Sequence, residues 1–316
     1  MAKDALLGAT GFVGSNLRIH RAFAEIYNSS NIKNAVGQVF DTVVCASAPG
    51  SMLAANRAPA HDAAAIDNLI QHLSKIKTRC CVLISTIAVL QDFGRGQDES
   101  TGAFEENLAY GRNRRTLECF CQDKFERCLI LRLPALFGQG LRKNMLFDLQ
   151  NPVPEMLTQE RFNSMAQTLS KADWHDLKAH YSYNPDIAMW TLDRVGLDTS
   201  DRKEQLGVSV TRAGFDALRF TNPASTFQFF GLAQLPDIID QALQAKIAVL
   251  HPVPEPLSAA LVAKDLRERD AWDSASGIHI EDVRTRHGAL FGSTDSYIAS
   301  AGSVLANLRA FVGSGG

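Results

Sequence analysis

Three glycines near the amino terminus constrain the fold more than any other feature of this sequence. Gly8, Gly11 and Gly14 are spaced three apart in the segment LLGATGFVG, between a short apolar run and a helical pattern. The first glycine permits a tight turn, and the third lets a helix pack closely on a strand. The segment therefore predicts a strand, a turn and a helix, which is the first half of a βαβ unit.

The same alternation of strand and helix patterns continues to residue 138. Strands are predicted at Ala5–Leu7, Ala24–Tyr27, Asp41–Ala46, Cys80–Ser85 and Cys128–Leu133, and helices at Phe12–Phe23, Ala58–Lys77 and Leu108–Phe120. Such an alternation is typical of a parallel sheet with crossover helices. We therefore predict a doubly wound, Rossmann-type α/β fold with a smaller, partly helical substrate lobe after it.

The second half of the chain is less regular. Between residues 150 and 220 the pattern predicts amphipathic helices without strands between them, at Met156–Leu169, Asp173–His180 and Pro185–Val195. Strands are predicted again at Phe227–Phe230 and Ile247–His251, and helices at Leu235–Ala245, Ser258–Arg269 and Ser303–Phe311. We expect a dinucleotide-binding domain over 1–149, a helical insert or substrate lobe over 150–220, and a substrate region over 221–316 with elements that return to the core.

Composition and charge exclude several classes of partner. A net charge of −2 argues against nucleic acid, because phosphate binding normally requires a basic surplus. No apolar run is long enough for a membrane span, and the first strand leaves no room for a signal peptide. The cysteines lack zinc-site spacing and the histidines lack metal-binding motifs. We expect a cytoplasmic protein with reduced thiols, no metal, and neither nucleic acid nor a membrane as partner.

The glycine segment is a candidate phosphate-binding loop. A helix that starts there offers free backbone N–H groups and the positive end of its dipole. Gly11 would let a diphosphate approach the backbone without a clash with a Cβ. This context predicts a dinucleotide site, and the alternative is a structural turn that binds nothing. The candidate contacts in the loop are Gly8, Thr10, Gly11, Phe12, Val13 and Gly14.

The end of the second strand bears on which dinucleotide is bound. An acidic residue there would select the ribose 2′-hydroxyl of NAD. This chain has Asn28, Ser29 and Ser30 instead, which donate hydrogen bonds and do not repel a 2′-phosphate. The segment favours NADP, with NAD left open, and a plain polar loop is the alternative interpretation.

Candidate catalytic residues follow the fourth strand. Thr86 ends that strand, Tyr110 begins a helix, and Arg114 lies one turn further on the same helix face. Hydride transfer at a carbonyl or hydroxyl carbon needs one group to hold the oxygen and another to exchange its proton. A tyrosine can exchange the proton if a cation lowers its pKa from about 10. We assign these roles to Thr86, Tyr110 and Arg114, against the alternatives of a strand-end cap, a packed helix residue and a surface charge.

Four motifs in order, GATGFVG, STIAV, YGRNR and RLPALFG, resemble the extended short-chain dehydrogenase/reductase family, which includes nucleotide-sugar epimerases, dehydratases and reductases. The resemblance covers residues 4–145 and continues weakly over 220–265, around SxFQFF. It implies an NAD(P)-dependent oxidoreductase or epimerase for a small molecule with a hydroxyl or carbonyl group, such as a sugar or nucleotide sugar. It also implies a homodimer through the helices at Ala58–Lys77 and Leu108–Phe120.

The resemblance assigns roles to individual positions. The family's catalytic hydroxyl falls on Thr86, its tyrosine on Tyr110, and its ribose-binding lysine on Arg114. The proline whose neighbouring backbone contacts the carboxamide falls on Pro134. Further candidate cofactor contacts are Ala46, Ser47, Ala48 and Ser85, and candidate substrate contacts are Arg142, Asn144 and Gln228.

The chain departs from the family pattern in ways that bear on activity. Arg114 replaces a lysine, and Ile87 and Ala88 replace the acidic pair of the dehydratases, so elimination of water is not expected. Leu90 stands where a tyrosine is usual, and the segment between the second and third strands is short. The main alternative is therefore a non-catalytic NAD(P)-binding sensor or scaffold. A third is a structural protein with a vestigial loop.

Overall fold

The structure is a computed structural model that describes residues 3–269 and 272–314. The chain divides into two compact units. The first unit comprises the described residues of Met1–Leu141, Thr226–Leu257 and Ile280–Gly316. The second comprises those of Arg142–Ser225 and Ser258–His279.

The strands are short outside the central sheet of the first unit. In chain order they are β1 (Asp4–Leu7), β2 (Glu25–Tyr27), β3 (Val39–Cys45), β4 (Lys77–Thr86), β5 (Cys128–Leu133), β6 (Ala135–Phe137), β7 (Met156–Leu157), β8 (Tyr181–Asn184), β9 (Met189–Leu192), β10 (Thr226–Phe227), β11 (Phe229–Gly231), β12 (Val249–Leu250) and β13 (Leu257–Ser258).

The helices alternate with these strands in the first half of the chain. They are α1 (Phe12–His20), α2 (Met52–Arg57), α3 (Pro59–Leu73), α4 (Ala109–Lys124), α5 (Met145–Gln150), α6 (Gln159–Thr168), α7 (Lys171–Lys178), α8 (Arg194–Asp198), α9 (Lys203–Arg212), α10 (Leu235–Gln244), α11 (Ala259–Arg267) and α12 (Ala301–Gly313). No helix in the described part of the chain combines the length and the apolar character needed to cross a membrane.

The first unit contains a six-stranded sheet in which every neighbouring pair of strands is parallel. The strand order is β12-β5-β4-β3-β1-β2, so the chain passes from β1 to one side and then crosses to β3 on the other. Open α/β sheets bind ligands beyond the carboxyl ends of the strands, at the point where the strand order reverses. Here that point lies between β1 and β3.

Helices cover both faces of this sheet. One face packs on α3 and α4 through a cluster that includes Ile66 and Leu117. The other face packs on α10, among others, through Ile239. Val43 and Val44 are neighbours in β3 and belong to opposite clusters, because successive side chains of a strand point to opposite faces. The predicted doubly wound α/β fold is confirmed.

A single strand, β2, lies outside β1 in this sheet. The chain between β2 and β3 contains only a 3₁₀ turn at Ile32–Ala35. Residues 28–38 contain no further crossover helix and strand. The short segment seen in the sequence therefore leaves β2 as the edge of the sheet.

The second unit combines helices with a three-stranded antiparallel sheet of order β7-β9-β8. The prediction of helices without strands over 150–220 is wrong there, because β7, β8 and β9 form this sheet. The ring of Trp190 in β9 stacks on that of Phe162, with 3.9 Å between centroids. The cluster around these rings also contains Tyr181. Aromatic residues favour strands, and packing on this cluster outweighs the helical spacing of the apolar residues.

Candidate active site

The glycine loop is fixed by close backbone contacts to the neighbouring strands. Gly8 has φ +87°, and a Cβ added to it would lie 2.3 Å from the carbonyl oxygen of Ala46. The Gly8 N–H donates to the carbonyl of Tyr27 at 2.8 Å. A Cβ on Gly14 would lie 2.1 Å from the carbonyl oxygen of Gly8, whereas one on Gly11 would meet nothing closer than 3.5 Å. The loop is thus tight at its ends and open at Gly11.

Helix α1 begins directly on this open part of the loop. Its N-cap is Gly11, which offers no side-chain cap, and the first turn holds no acidic residue. The first helical hydrogen bond runs from the Ser15 N–H to the Gly11 carbonyl at 2.8 Å. The preceding N–H groups, at Phe12, Val13 and Gly14, therefore fall outside the repeating hydrogen bonds of the helix. This arrangement fits a diphosphate, since it offers backbone donors and a positive dipole end.

Replacing Gly8 by alanine is expected to abolish dinucleotide binding and to destabilise the fold by about 1–3 kcal/mol or more. The reasons are the positive φ and the collision with Ala46. Gly37→Ala is the matched control, because Gly37 has φ +78° but no atom within 4 Å of an added Cβ. Calorimetric titration with NADPH and NADH measures the effect. Wild-type binding by Gly8→Ala would contradict the assignment of the loop.

Other predicted cofactor residues flank the loop. Ala46, Ser47 and Ala48 follow β3 and are half-buried, and the Ala46 N–H donates to the carbonyl of Leu7 at 2.8 Å. Thr10 lies within the loop and is exposed. These residues lie at the carboxyl ends of β1 and β3, where the strand order reverses.

The turn after β2 is held by its own side chains. The Asn28 Oδ1 accepts from the Ser30 N–H at 2.9 Å and from the Ser30 hydroxyl at 2.6 Å. The Asn31 Oδ1 accepts from the Asn28 N–H at 2.7 Å. Ser29 and Ser30 are exposed on this Asx-type turn, which contains no carboxylate.

The structure brings Thr86 and Tyr110 together. The Tyr110 phenol lies near Thr86, whose side chain lowers the pKa of the phenol and whose hydroxyl oxygen accepts from the Ala88 N–H at 3.2 Å. A Cβ on Gly111 would lie 2.1 Å from the Ala88 carbonyl oxygen, so α4 begins against the turn that follows β4. The Asn56 Oδ1 accepts from the Tyr110 N–H at 2.9 Å and anchors this end of the helix.

Arg114 is bound by protein groups on several sides. Its side chain is 2% exposed and forms a bidentate ion pair with Asp62, with N–O distances of 2.5 and 2.9 Å. One Nη also donates to the carbonyl of Pro49 at 2.6 Å, and the guanidinium lies 4.1 Å from the centroid of the Tyr110 ring. Asn113 donates to the same carboxylate at 2.8 Å. The cation is thus committed to the protein interior.

This pairing changes the electrostatics expected at the phenol. Burial raises the pKa of Tyr110, and Asp62 adds to the rise, while Arg114 and Thr86 oppose it without overcoming it. Burial alone would raise the pKa of Asp62, but the hydrogen bonds from Arg114 and Asn113 outweigh it and the pKa is lowered. The expectation that Arg114 brings the pKa of Tyr110 towards neutrality is therefore corrected: the phenol stays protonated at neutral pH.

Ser85 and Pro134 lie at the same edge of the sheet as Thr86. The Ser85 hydroxyl is buried and donates to the Glu118 carboxylate at 2.6 Å, so it is directed at α4. Pro134 directly follows β5, in which Leu133 is paired with Thr86. The backbone at Pro134 is therefore next to the predicted catalytic hydroxyl in the sheet.

Gln228 is a buried structural residue. Its amide Nε2 donates to the carbonyls of Pro254 at 2.7 Å and Val283 at 2.9 Å. Its Oε1 accepts from the Val283 N–H at 2.9 Å. Because both ends of the amide are engaged within the protein, we leave Gln228 out of the substrate site that the sequence predicts.

Arg142 and Asn144 belong to the second unit and precede α5. Arg142 is exposed. Asn144 has φ +103° and caps α5, since its Oδ1 accepts from the N–H groups of Leu146 at 2.9 Å and Phe147 at 3.3 Å. A positive φ in a non-glycine residue is strained, and such strain is frequent at functional sites.

The sequence reasoning missed a buried ionic network around Glu118, which contacts Ser85, the residue before Thr86 in β4. The Glu118 carboxylate accepts from Arg132 at 2.7 and 3.0 Å and from Arg115 at 2.9 Å, in addition to Ser85. Arg132 also lies 3.2 Å from the Nε2 of His251. The signal was present, because Glu118 is four residues after Arg114 and therefore shares its helix face.

Asp62 was missed as well. It lies four residues before Ile66 and seven before Leu69, which puts a carboxylate on the buried stripe of α3. A charged residue on such a stripe is almost always paired, so its position could have indicated a buried partner.

Within residues 3–269 and 272–314, no group of three or more His, Cys, Asp or Glu side chains could hold a metal ion.

The parallel sheet, with the glycine loop at the point where its strand order reverses, defines a doubly wound Rossmann-type α/β fold. Solved structures share this fold over the whole chain. A dTDP-4-dehydrorhamnose reductase from Bacillus anthracis in complex with NADP has a TM-score of 0.61 at 14% identity, covering 99% of both chains. The UDP-N-acetylglucosamine 4-epimerase from Bacillus cereus has a TM-score of 0.57 at 15% identity, covering 100% of both.

A further UDP-N-acetylglucosamine 4-epimerase, from Methanobrevibacter ruminantium in complex with UDP-N-acetylmuramic acid, has a TM-score of 0.60 at 10% identity, covering 99% of this chain and 97% of that one. Neither a family model nor a curated protein matches the chain. At these identities the comparison is one of fold, and it confirms the fold that the sequence motifs predict.

Proposed function

We propose that this protein is an NAD(P)-dependent oxidoreductase or epimerase that acts on a hydroxyl or carbonyl group of a small molecule. The observation that carries the proposal is the proximity of the Tyr110 phenol to the Thr86 side chain, in the unit that also holds the glycine loop. A hydroxyl next to a phenol can hold a substrate oxygen and exchange its proton. The shared fold of reductases and epimerases of nucleotide sugars supports a sugar or nucleotide sugar as substrate.

The residues of the first unit fit a dinucleotide. The open backbone at Gly11 and the start of α1 would hold the diphosphate, with Ala46–Ala48 and the backbone at Pro134 as further contacts. The turn Asn28–Ser30 would face the ribose, and the absence of a carboxylate from it favours NADP over NAD. When bound, the nicotinamide ring supplies or accepts the hydride.

The protein's own residues would handle the proton. Thr86 would hold the substrate oxygen through its hydroxyl. Tyr110 is protonated at neutral pH because its pKa is raised, so it can donate its proton to a carbonyl oxygen as that oxygen becomes a hydroxyl. Oxidation would need the phenolate and is favoured only at alkaline pH. The protonation state of Tyr110 therefore favours reduction at neutral pH. Arg142 and Asn144 are the proposed substrate contacts.

A non-catalytic sensor is the second candidate, and one observation favours it. The residue in the position of the family's lysine is an arginine whose charge is paired with Asp62. A sensor of this kind would bind the dinucleotide without turning over a substrate.

A substrate panel separates the two functions. Purified protein is incubated with NADPH or NADH and with nucleotide-linked sugars bearing keto or hydroxyl groups. Nicotinamide absorbance reports net reduction or oxidation, and mass spectrometry with chromatography reports epimers, which cause no net change in absorbance. Turnover of a panel member supports the enzyme, dinucleotide binding without any product supports the sensor, and binding of neither dinucleotide contradicts both.

A further inference from the structure

Asp62 is a buried carboxylate that the proposed reaction does not use. It is 4% exposed and lies on α3, next to α4. Both of its oxygens accept from Arg114, and Oδ2 also accepts from Asn113. Charge-assisted hydrogen bonds of this kind keep a buried carboxylate ionised.

Arg114 is fixed by this carboxylate in one position. Its Nη atoms also donate to the carbonyls of Pro49 at 2.6 Å and of Tyr110 at 3.3 Å, and its plane covers the Tyr110 ring. Its Nε has no hydrogen-bond partner among the described residues and is buried. Both Nη atoms of the guanidinium are therefore engaged by acceptors of the protein, and Nε is the nitrogen that remains without one in the described part of the chain.

We propose that Asp62 is a positioning residue, which holds Arg114 against the ring of Tyr110 and offsets part of the charge of the guanidinium at the phenol. The inference rests on the proposed function only in taking Tyr110 as the group that exchanges the proton. Without the Asp62 charge, the guanidinium would stabilise the phenolate and make the phenol more acidic. With Asp62 present, part of this effect is offset, and burial of the phenol also favours its protonated form.

Two charged side chains and two neutral groups surround Tyr110. The charged side chains that act on it are Arg114 on its own helix and Asp62 on α3. Thr86, at the end of β4, contributes a neutral hydroxyl, and α2 contributes the neutral amide of Asn56 at the Tyr110 N–H. His61 acts on Asp62 and lowers its pKa further.

The test is the titration of the phenol in three variants. Tyrosines are isotopically labelled at the phenol carbon, their NMR signals are followed with pH, and the Tyr110 signal is assigned by its loss in Tyr110→Phe. Asp62→Asn is expected to lower the pKa of Tyr110 by about 1 unit or more, and Arg114→Gln to raise it. The double variant is expected to titrate between the two single variants.

The opposite signs distinguish charge balance from loosened packing. Loosening would hydrate the phenol and lower its pKa in both single variants. The proposal would be overturned if the pKa of Tyr110 shifted in the same direction in both single variants, or if it shifted in neither. Asp62→Glu keeps the charge and is the conservative control, expected near the wild type. If Asp62→Asn does not fold, the comparison is between Arg114→Gln and the double variant, with the phenol expected to titrate higher in Arg114→Gln.

The titration needs no turnover, so it is independent of the proposed function. The expected shifts without activity on any substrate would retain the charge balance and remove the enzymatic function. Activity that depends on Tyr110, without the expected shifts, would retain the function and remove the role of Asp62.

Discussion

Tyr110→Phe is expected to lower turnover by about 10²–10⁴-fold while the affinity for the dinucleotide stays near that of the wild type. The substitution removes only the phenol oxygen, which is the proposed proton donor. The ring remains under the Arg114 guanidinium, and the backbone N–H still donates to Asn56. Steady-state rates on the substrate that the panel identifies, together with calorimetric titration of the dinucleotide, measure the two quantities.

Tyr183→Phe is the matched control, because Tyr183 is 48% exposed and belongs to the second unit. It removes the same atom without touching the proposed site, and we expect wild-type turnover. Unchanged turnover in Tyr110→Phe would refute the assignment of the proton donor. A loss of dinucleotide affinity without loss of the maximal rate would instead make the phenol a cofactor contact.

Glu118→Ala is expected to destabilise the protein by about 3–5 kcal/mol, since it leaves the buried Arg132 guanidinium without its counter-ion. Glu118 is 0% exposed and accepts four hydrogen bonds, from Arg132, Arg115 and Ser85. Removing one partner of a buried ion pair costs far more than the net contribution of the pair itself. Urea unfolding followed by circular dichroism measures the loss.

The control for this prediction is Glu126→Ala, which removes an exposed carboxylate just beyond α4. It is expected to change the free energy of unfolding by no more than about 0.5 kcal/mol. Replacing both partners, as Glu118→Leu with Arg132→Met, should recover much of the stability that Glu118→Ala loses. An unfolding midpoint that is the same in Glu118→Ala and in the wild type would contradict the role of the network.

The sequence predicts the parallel sheet well because its signals are local. Buried parallel strands are continuous apolar runs, and β5 has the bounds that the pattern predicts. The predicted helix Ala58–Lys77 is less accurate at its end, since α3 ends at Leu73 and Lys77 begins β4, and the separate helix α2 before it was not predicted. Proline favours the first turn of a helix, and Pro59 agrees with the predicted start to within one residue.

The strands of the second unit could not be predicted in the same way. β7 has two residues, and its partner β9 lies more than thirty residues away, so the pairing depends on packing around Phe162. Strand preference is set by such neighbours more than by the residue itself. Short strands of this kind give no periodic signal.

In the candidate site, too, local features are predicted from the sequence and features that depend on tertiary packing are not. The spacing of Thr86 and Tyr110 predicts their proximity, because one ends a strand and the other begins the helix that returns along it. The ion pair of Arg114 with Asp62 joins residues 52 positions apart and depends on how α3 packs against α4. The pKa of Tyr110 is raised mainly by burial, which outweighs the lowering that Arg114 causes, and Asp62 adds to the rise.

Gln228 illustrates how a side chain can substitute for secondary structure. Its amide pairs with both the N–H and the carbonyl of Val283, as the peptide group of an adjacent strand would. The Gln228 N–H in turn donates to the Glu281 carboxylate at 2.9 Å. Side-chain hydrogen bonds here replace the backbone pairing of a β-ladder. We therefore expect residues 281–283 to exchange their amide hydrogens together, as one cooperative element centred on Gln228.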